Sequence, residues 1–217
     1  AMRRAAAAIA RRVGVGMART LAPGVSDGNP AMAGGPCGAC NLRSLSSLPH
    51  FCHRPASIGN GPGMLLHASC AALGGDAIIL LGPPGSGKSD LLLRLIQDPA
   101  WRLVADDQVA VTAVHGALRA APPDALRGML EVRGLGILAG LPVAEAPTLR
   151  LAVHLAPRTQ VPRLPAPAGW TCEGVALPAV TLHGFDASAV AKIALGLAAA
   201  CGRARLVAGA SLRDAPA

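Results

Sequence analysis

Hydrophobic residues in this chain fall into short runs separated by glycine, proline and polar pairs. The densest run is Ala77-Ile78-Ile79-Leu80-Leu81. It is too short for a helix and has no polar interruption, the pattern of a strand buried on both faces. Leucines at 91, 92, 93 and 95, with Arg94 between them, predict an apolar-faced helix soon after it. Leu65 to Leu73 reads as a strand before it, and Gly74-Gly75-Asp76 as the turn that joins the two in a hairpin.

Downstream, Trp101 to Ala105 and Val109 to Val114 read as strands, with His115-Gly116 as a turn and Ala117 to Ala120 as the return, stopped by Pro122-Pro123. Leu126 to Leu130 fits either a short helix or irregular chain. Glu131 to Leu138, with glycines at 134 and 136, predicts a tight functional loop. Thr148 to Leu155 alternates as a strand, and four prolines between 157 and 169 predict a mobile loop. Val175 to Leu182 is the last strand. Asp186-Ala187-Ser188 is placed to cap a helix running to about Cys201. The class is α/β, a mixed sheet with flanking helices.

Residues 1–63 do not share this periodicity. They begin Arg- and Ala-rich, superficially like an organellar transit peptide, and continue in Pro, Gly, Ser and Asn. A disordered extension is expected there, a catalytic domain over 64–205 and a frayed tail over 206–217. Cys37, Cys40, His50, Cys52 and His53 could be drawn as zinc ligands, but the second half lacks a standard ligand spacing.

Composition sharpens this division. Of the net charge of +8, residues 1–63 supply +6, from seven Arg and one Asp, and the remainder only +2. The predicted domain therefore offers little electrostatic case for nucleic acid. Hydrophobic residues make up 52% of the chain but aromatic ones only 2%, so Ala, Leu and Val must fill the core. No apolar run is long enough to span a bilayer. Cys70, Cys172 and Cys201 read as small buried apolar residues, which fits a reducing, cytoplasmic setting.

Between the predicted strand and helix stands Gly82-Pro83-Pro84-Gly85-Ser86-Gly87-Lys88-Ser89, which fits G-x-x-x-x-G-K-[ST], the phosphate-binding P-loop. Its glycines let amide N–H groups turn inward around phosphate oxygens, and the helix adds the positive end of its dipole. Lys88 can reach β- and γ-phosphates, and the Ser89 hydroxyl can ligate Mg²⁺. This is a nucleotide site by motif and context together.

Phosphoryl transfer also needs acids. Asp106-Asp107 stand at the carboxyl end of the strand Leu103-Val104-Ala105, where open α/β sheets bind ligands. Adjacent carboxylates repel, so one should have a raised pKa unless a metal offsets it; one suits Mg²⁺ and the other a general base. Read alone, the pair also fits a helix cap or solvated turn. Glu131 with Arg133, read alone, is a surface ion pair beside a turn.

Taken in order, His67, the P-loop, Leu103-Val-Ala-Asp106-Asp107, Ala121-Pro-Pro123 and Glu131-Val-Arg-Gly-Leu-Gly-Ile137 change that. The stretch from His67 to about Ala199 resembles the catalytic domain of HPr kinase/phosphorylase, in the short form without the amino-terminal regulatory domain. The resemblance implies a P-loop domain related to phosphoenolpyruvate carboxykinase. It also implies Mg²⁺- and ATP-dependent phosphorylation of a serine in an HPr-type phosphocarrier protein, within sugar or nitrogen phosphotransferase signalling, and a hexamer. By position it makes Lys88 a phosphate ligand, Ser89 and Glu131 Mg²⁺ ligands and Asp107 the base, with Asp106 beside it and His67 in the active site. The long form has an arginine in a Gly-Arg-Asn-like loop serving phosphorolysis; here Thr181-Leu-His-Gly-Phe-Asp186 has none, which implies weak or absent phosphorylase activity. The rival readings are a P-loop kinase of a small metabolite, a catalytically silent ATP-binding sensor, and nucleic-acid binding through the Arg-rich residues 1–63.

Overall fold

The computed structural model describes residues 63–210; the extension expected before Gly63, its cysteines included, and the tail beyond 210 lie outside the described residues. The fold is organised by strand β3 (Asp76–Leu81), whose inner four residues are buried. Successive side chains of a strand point to opposite faces, so an unbroken apolar run needs a core on each side. Both cores are present. Ile78 and Leu80 pack into one cluster with Leu91, Leu92, Leu95, Ile193 and Leu197, which come from helices α1 (Lys88–Ile96) and α2 (Ala189–Ala200). Ala77 and Ile79 enter the other, with Val109, Val111, Leu118, Leu149 and Leu177.

The main sheet runs β1-β5-β6-β9-β3-β2-β4, with β1 Met64–Leu66, β2 Ser69–Leu73, β4 Trp101–Ala105, β5 Val109–Val114, β6 Ala117–Ala121 and β9 Thr148–Leu155. It is mixed. β9 lies parallel to β3 and to β11 (Val175–Leu182), while β2 is antiparallel to both β3 and β4. Strand β10 (Gly169–Cys172) pairs antiparallel with β11. A separate hairpin joins β7 (Leu130–Val132) to β8 (Gly136–Leu138). Because β2 reverses between its neighbours, β3, β4, β9 and β11 all point the same way. Their carboxyl ends, and the start of β2, therefore share one edge.

The structure departs from the sequence expectations at four places. The strand expected over Leu65 to Leu73 is two strands broken at His67-Ala68: β1 pairs with β5, and only β2 forms the hairpin with β3. The tight loop expected over Glu131 to Leu138 is the β7–β8 hairpin, turned by Gly134 at φ 85°. Strand β10 begins at Gly169, the last residue of the expected loop, and covers Trp170-Thr171-Cys172, too brief a stretch to show periodicity and one for which no element was expected. Ser188 occupies the N-cap of α2 but its side chain caps nothing. The Asp186 carbonyl instead accepts the Ala189 N–H, and its carboxylate takes Lys192 Nζ at 3.0 Å and the Arg158 guanidinium.

Candidate active site

The P-loop leaves the carboxyl end of β3 and closes onto α1. Gly87, the N-cap of α1, has φ 93° and ψ 19°, a left-handed conformation open to glycine at little cost. Gly82 is required by crowding: a Cβ there would lie 2.7 Å from Ser86 Oγ and 3.0 Å from the Leu155 carbonyl oxygen. Lys88 is buried, and its Nζ donates to the carbonyls of Gly82 at 2.8 Å and Pro83 at 3.2 Å, so the ammonium is held inside its own loop. A buried ammonium with only neutral carbonyls as partners suits an incoming anion.

Asp106 continues from β4 and is 6% exposed. One carboxylate oxygen, Oδ1, accepts from Ser69 Oγ at 2.6 Å and from Ser89 Oγ at 3.0 Å, and Oδ2 has no partner among the described residues. Burial raises its pKa; the two serine hydroxyls oppose that, and the neighbouring Asp107 charge adds to it. The sequence expectation of a raised pKa is met, but burial outranks like-charge repulsion as its cause. Asp107 is exposed and holds φ 63°, a left-handed turn that Asp tolerates better than most residues. Its carbonyl oxygen lies 3.0 Å from His67 Nδ1; a carbonyl only accepts, so Nδ1 carries that proton and Nε2 is left free.

A cavity of about 410 Å³ opens here. His67, Pro84, Gly85, Gly87, Lys88, Ser89, Asp107 and Glu131 line it, together with Asp90, Leu93, Val132, Arg133 and Phe185. Five polar residues singled out in the sequence thus meet at one place from four elements, and Asp106 touches it through Ser89. Gly82, Pro83 and Ser86 of the P-loop do not line it. Among the described residues no group of three or more His, Cys, Asp or Glu side chains is poised to cage a metal. Mg²⁺ does not need one, since it keeps several waters and takes one or two carboxylates plus substrate phosphates. Ser89 and Glu131, both oxygen donors on the cavity wall, suit that ion, and the buried Asp106 carboxylate backs Ser89 with its Oδ2 unpartnered among the described residues.

The loop between β11 and α2 forms the remaining wall, and Arg94 holds it. Arg94 Nη1 donates to the Asp186 carbonyl at 3.1 Å, Nη2 donates to the Gly184 carbonyl, and Nε pairs with Asp90 at 3.0 Å. Thr181 to Asp186 contains no arginine, yet two arginines reach it from elsewhere, and both are engaged: Arg94 on backbone and Arg158 on Asp186. Sequence reasoning missed Ser69 and Arg94. Ser69 had a faint signal, lying two residues from His67. Arg94 had none toward this loop, because the two carbonyls it holds there are some ninety residues away.

Comparisons with known proteins place this geometry. Residues 62–159 match the family model of the HPr Serine kinase C-terminal domain. Over 100 residues the chain is 40% identical to an HPr kinase/phosphorylase of Clostridium tetani, covering 43% of this chain and 32% of that one. A Clostridium kluyveri relative of the same name is 42% identical over 77 residues, 36% of this chain and 25% of that one. The chain thus spans about a third or less of the curated relatives it matches. The solved structure of the Hpr(Ser) kinase/phosphatase from Coxiella burnetii shares the fold at a TM-score of 0.50 and 23% identity, covering 55% of this chain and 85% of that one. The resemblance read from the sequence holds over this region, and the family match ends before the loop that Arg94 clamps.

Proposed function

We propose that this chain, which carries an HPr kinase-type catalytic domain, is a Mg²⁺- and ATP-dependent kinase that phosphorylates a serine of an HPr-type phosphocarrier protein. The observation that carries this reading is the single cavity shared by the phosphate loop, Lys88, Ser89, His67, Asp107 and Glu131. A phosphate cradle alone only binds. A cradle facing an exposed carboxylate can also accept the proton of an attacking hydroxyl.

The P-loop amides and Lys88 would hold the polyphosphate and take up charge on the leaving oxygens. Ser89, Glu131 and Asp106 would hold Mg²⁺, which when bound neutralises phosphate charge and orients the terminal group. Asp107 would align the serine hydroxyl and receive its proton, with His67 fixing the Asp107 turn through the carbonyl contact. A protein acceptor is favoured over a small polar metabolite by the rim: Leu135 and Ile137 of the β7–β8 turn and hairpin, which carries Glu131 to the cavity, are 80% and 72% exposed. The Thr181 to Asp186 loop has no arginine of its own, and Arg94 and Arg158, which reach it, are engaged, so the guanidinium that lines the cavity is that of Arg133; we take the loop's lack of one to favour the kinase direction over phosphorolysis.

Among the described residues no helix is long and apolar enough to cross a membrane. A cytoplasmic setting and a hexameric assembly remain parts of this proposal. The test is intact-mass analysis of HPr-type carriers from the same genome after incubation with the full chain, ATP and Mg²⁺. One added phosphoryl group, lost when the acceptor serine is alanine, is the expected result. Nucleotide binding without transfer to any carrier would overturn it in favour of a metabolite kinase or a silent sensor.

A further inference from the structure

The cavity is lined by polar and apolar groups from different elements. His67, Asp107, Glu131 and Arg133 come from the β1–β2 break, the end of β4 and the β7–β8 hairpin, which also brings Val132; Leu93 and Phe185 come from α1, which also brings Asp90, and from the β11–α2 loop. Phe185 is 55% exposed in a chain with two Phe, two Trp and no Tyr, and Trp101 is in the core. An exposed aromatic in so aromatic-poor a protein needs a reason.

Its position is also fixed in advance. The carbonyls on either side of it, Gly184 and Asp186, are both held by Arg94, and the Asp186 carboxylate is tied to Lys192 and Arg158. Its ring meets His183 edge-on, with centroids 5.7 Å apart and planes at 65°. It also rests against Gly87 so closely that a Cβ there would lie 3.0 Å from the ring. The loop's ordering entropy is therefore spent before any ligand arrives.

We propose that Phe185 is the stacking platform for the base of the bound nucleotide, with Leu93 among the apolar groups of the lining. The proposal rests on the reading of the site as a nucleotide-dependent kinase and adds where the nucleoside goes. With the polyphosphate on the P-loop amides and Lys88, the nucleoside must leave along one wall. His67, Asp107 and Glu131 are needed at the acceptor and the metal, and among the other lining groups Phe185 is the aromatic face on which a base can stack. Every base presents a π-face, so this platform gives affinity for purine nucleotides with little choice between adenine and guanine.

The experiment is calorimetric titration of the full chain, wild type and Phe185→Ala, with ATP and separately with inorganic tripolyphosphate, both with Mg²⁺. Loss of a base–aromatic stack weakens binding by about tenfold or more. Phe185→Ala should therefore lose about that much ATP affinity, keep tripolyphosphate affinity within twofold, and be rescued by Phe185→Trp. Unchanged ATP affinity in Phe185→Ala overturns the platform and leaves the kinase reading standing. Parallel loss of both ligands also overturns it, since the ring would then only prop the P-loop. Wild-type protein that binds neither ligand overturns the kinase reading and the platform together.

Discussion

Gly184→Ala tests whether the loop that carries Phe185 is part of the phosphate site or merely near it. A Cβ at 184 would lie 2.6 Å from the Ser86 carbonyl oxygen and 3.3 Å from Leu155 Cδ1. The first distance is about 0.8 Å short of an ordinary van der Waals contact. The closer neighbour is not a side-chain tip that can step aside, since the oxygen belongs to the peptide joining Ser86 to Gly87, and Leu155 is buried. The added methyl therefore has to push the loop off the P-loop or rotate that peptide. Overpacking of this kind costs about 1–3 kcal/mol of stability. Displacements approaching 1 Å in a positioned site cost on the order of 10²-fold in activity. Gly116→Ala is the control. Gly116 has φ 77° with open space around its Cβ, in the β5–β6 turn, so it should lose about 1 kcal/mol to left-handed strain alone. Thermal melts and ATP titrations of both variants give a clear contrast: both less stable, only Gly184→Ala at least tenfold weaker for ATP. Wild-type ATP affinity in a folded Gly184→Ala protein would refute the coupling of this loop to the phosphate cradle.

Three further outcomes follow from the same geometry. Lys88→Ala removes both the cation and its ties to the Gly82 and Pro83 carbonyls, so ATP affinity should fall at least about tenfold in a nucleotide titration; unchanged affinity would exclude Lys88 as a phosphate ligand. Asp107→Asn should bind ATP like wild type and lose transfer by about 10² or more, and a wild-type transfer rate would remove Asp107 from the base role. Asp76, bonded to Arg150 at 3.0 Å and Arg203 at 2.9 Å, tests the far end of the sheet. Burial pushes its pKa up, but the hydrogen bonds from Arg203, Arg150 and the Cys201 thiol outweigh it, and the net shift is downward. A depressed folded pKa stabilises above the ordinary carboxylate range and loses that contribution as pH falls through the folded value. Asp76→Asn should therefore be less stable by up to about 1 kcal/mol at pH 7, with the gap closing at pH 3. An equal gap at both pH values would refute the ion-pair account.

The strands and the P-loop were legible because each is local. Alternation or an unbroken apolar run sets a strand, and glycine spacing sets the loop, without reference to distant chain. Val109 to Val114 and Thr148 to Leu155 were read to the residue for this reason. What stayed hidden depends on partners remote in sequence. The break at His67-Ala68 follows from β1 joining β5 while β2 joins β3 and β4, a choice no window of ten residues contains. The failed cap at Ser188 is partly local, since of the groups involved only Arg158 is remote in sequence. Asp186 is drawn to Lys192 and Arg158, and its carbonyl meets the Ala189 N–H that a side chain was expected to serve. The gathering of His67, Lys88, Ser89, Asp107 and Glu131 around one cavity follows from strand direction, which the sequence states only through the family resemblance.

One irregularity in the sheet decides where the second acid group stands. The β2–β4 ladder pairs Ala71 with Leu103 but Cys70 with Ala105, so Val104 is an extra residue on β4. Regular pairing from Ala71 would have set Cys70 opposite Val104 and Ser69 opposite Ala105, leaving Asp106 one step beyond the serine. A bulge advances one strand by a residue and adds local twist. Here it brings Asp106 level with Ser69, whose hydroxyl lies 2.6 Å from the carboxylate, and within 3.0 Å of Ser89 on α1. Two serines from separate elements thus hold one oxygen of a buried acid and leave the other unpartnered beside the P-loop. A one-residue slip in a strand sends every side chain to the opposite face. The bulge therefore fixes which of the adjacent acids is buried behind Ser89 and which, Asp107, is presented to the cavity. Which aspartate is buried and which lines the cavity is set by backbone register before any charge acts on it.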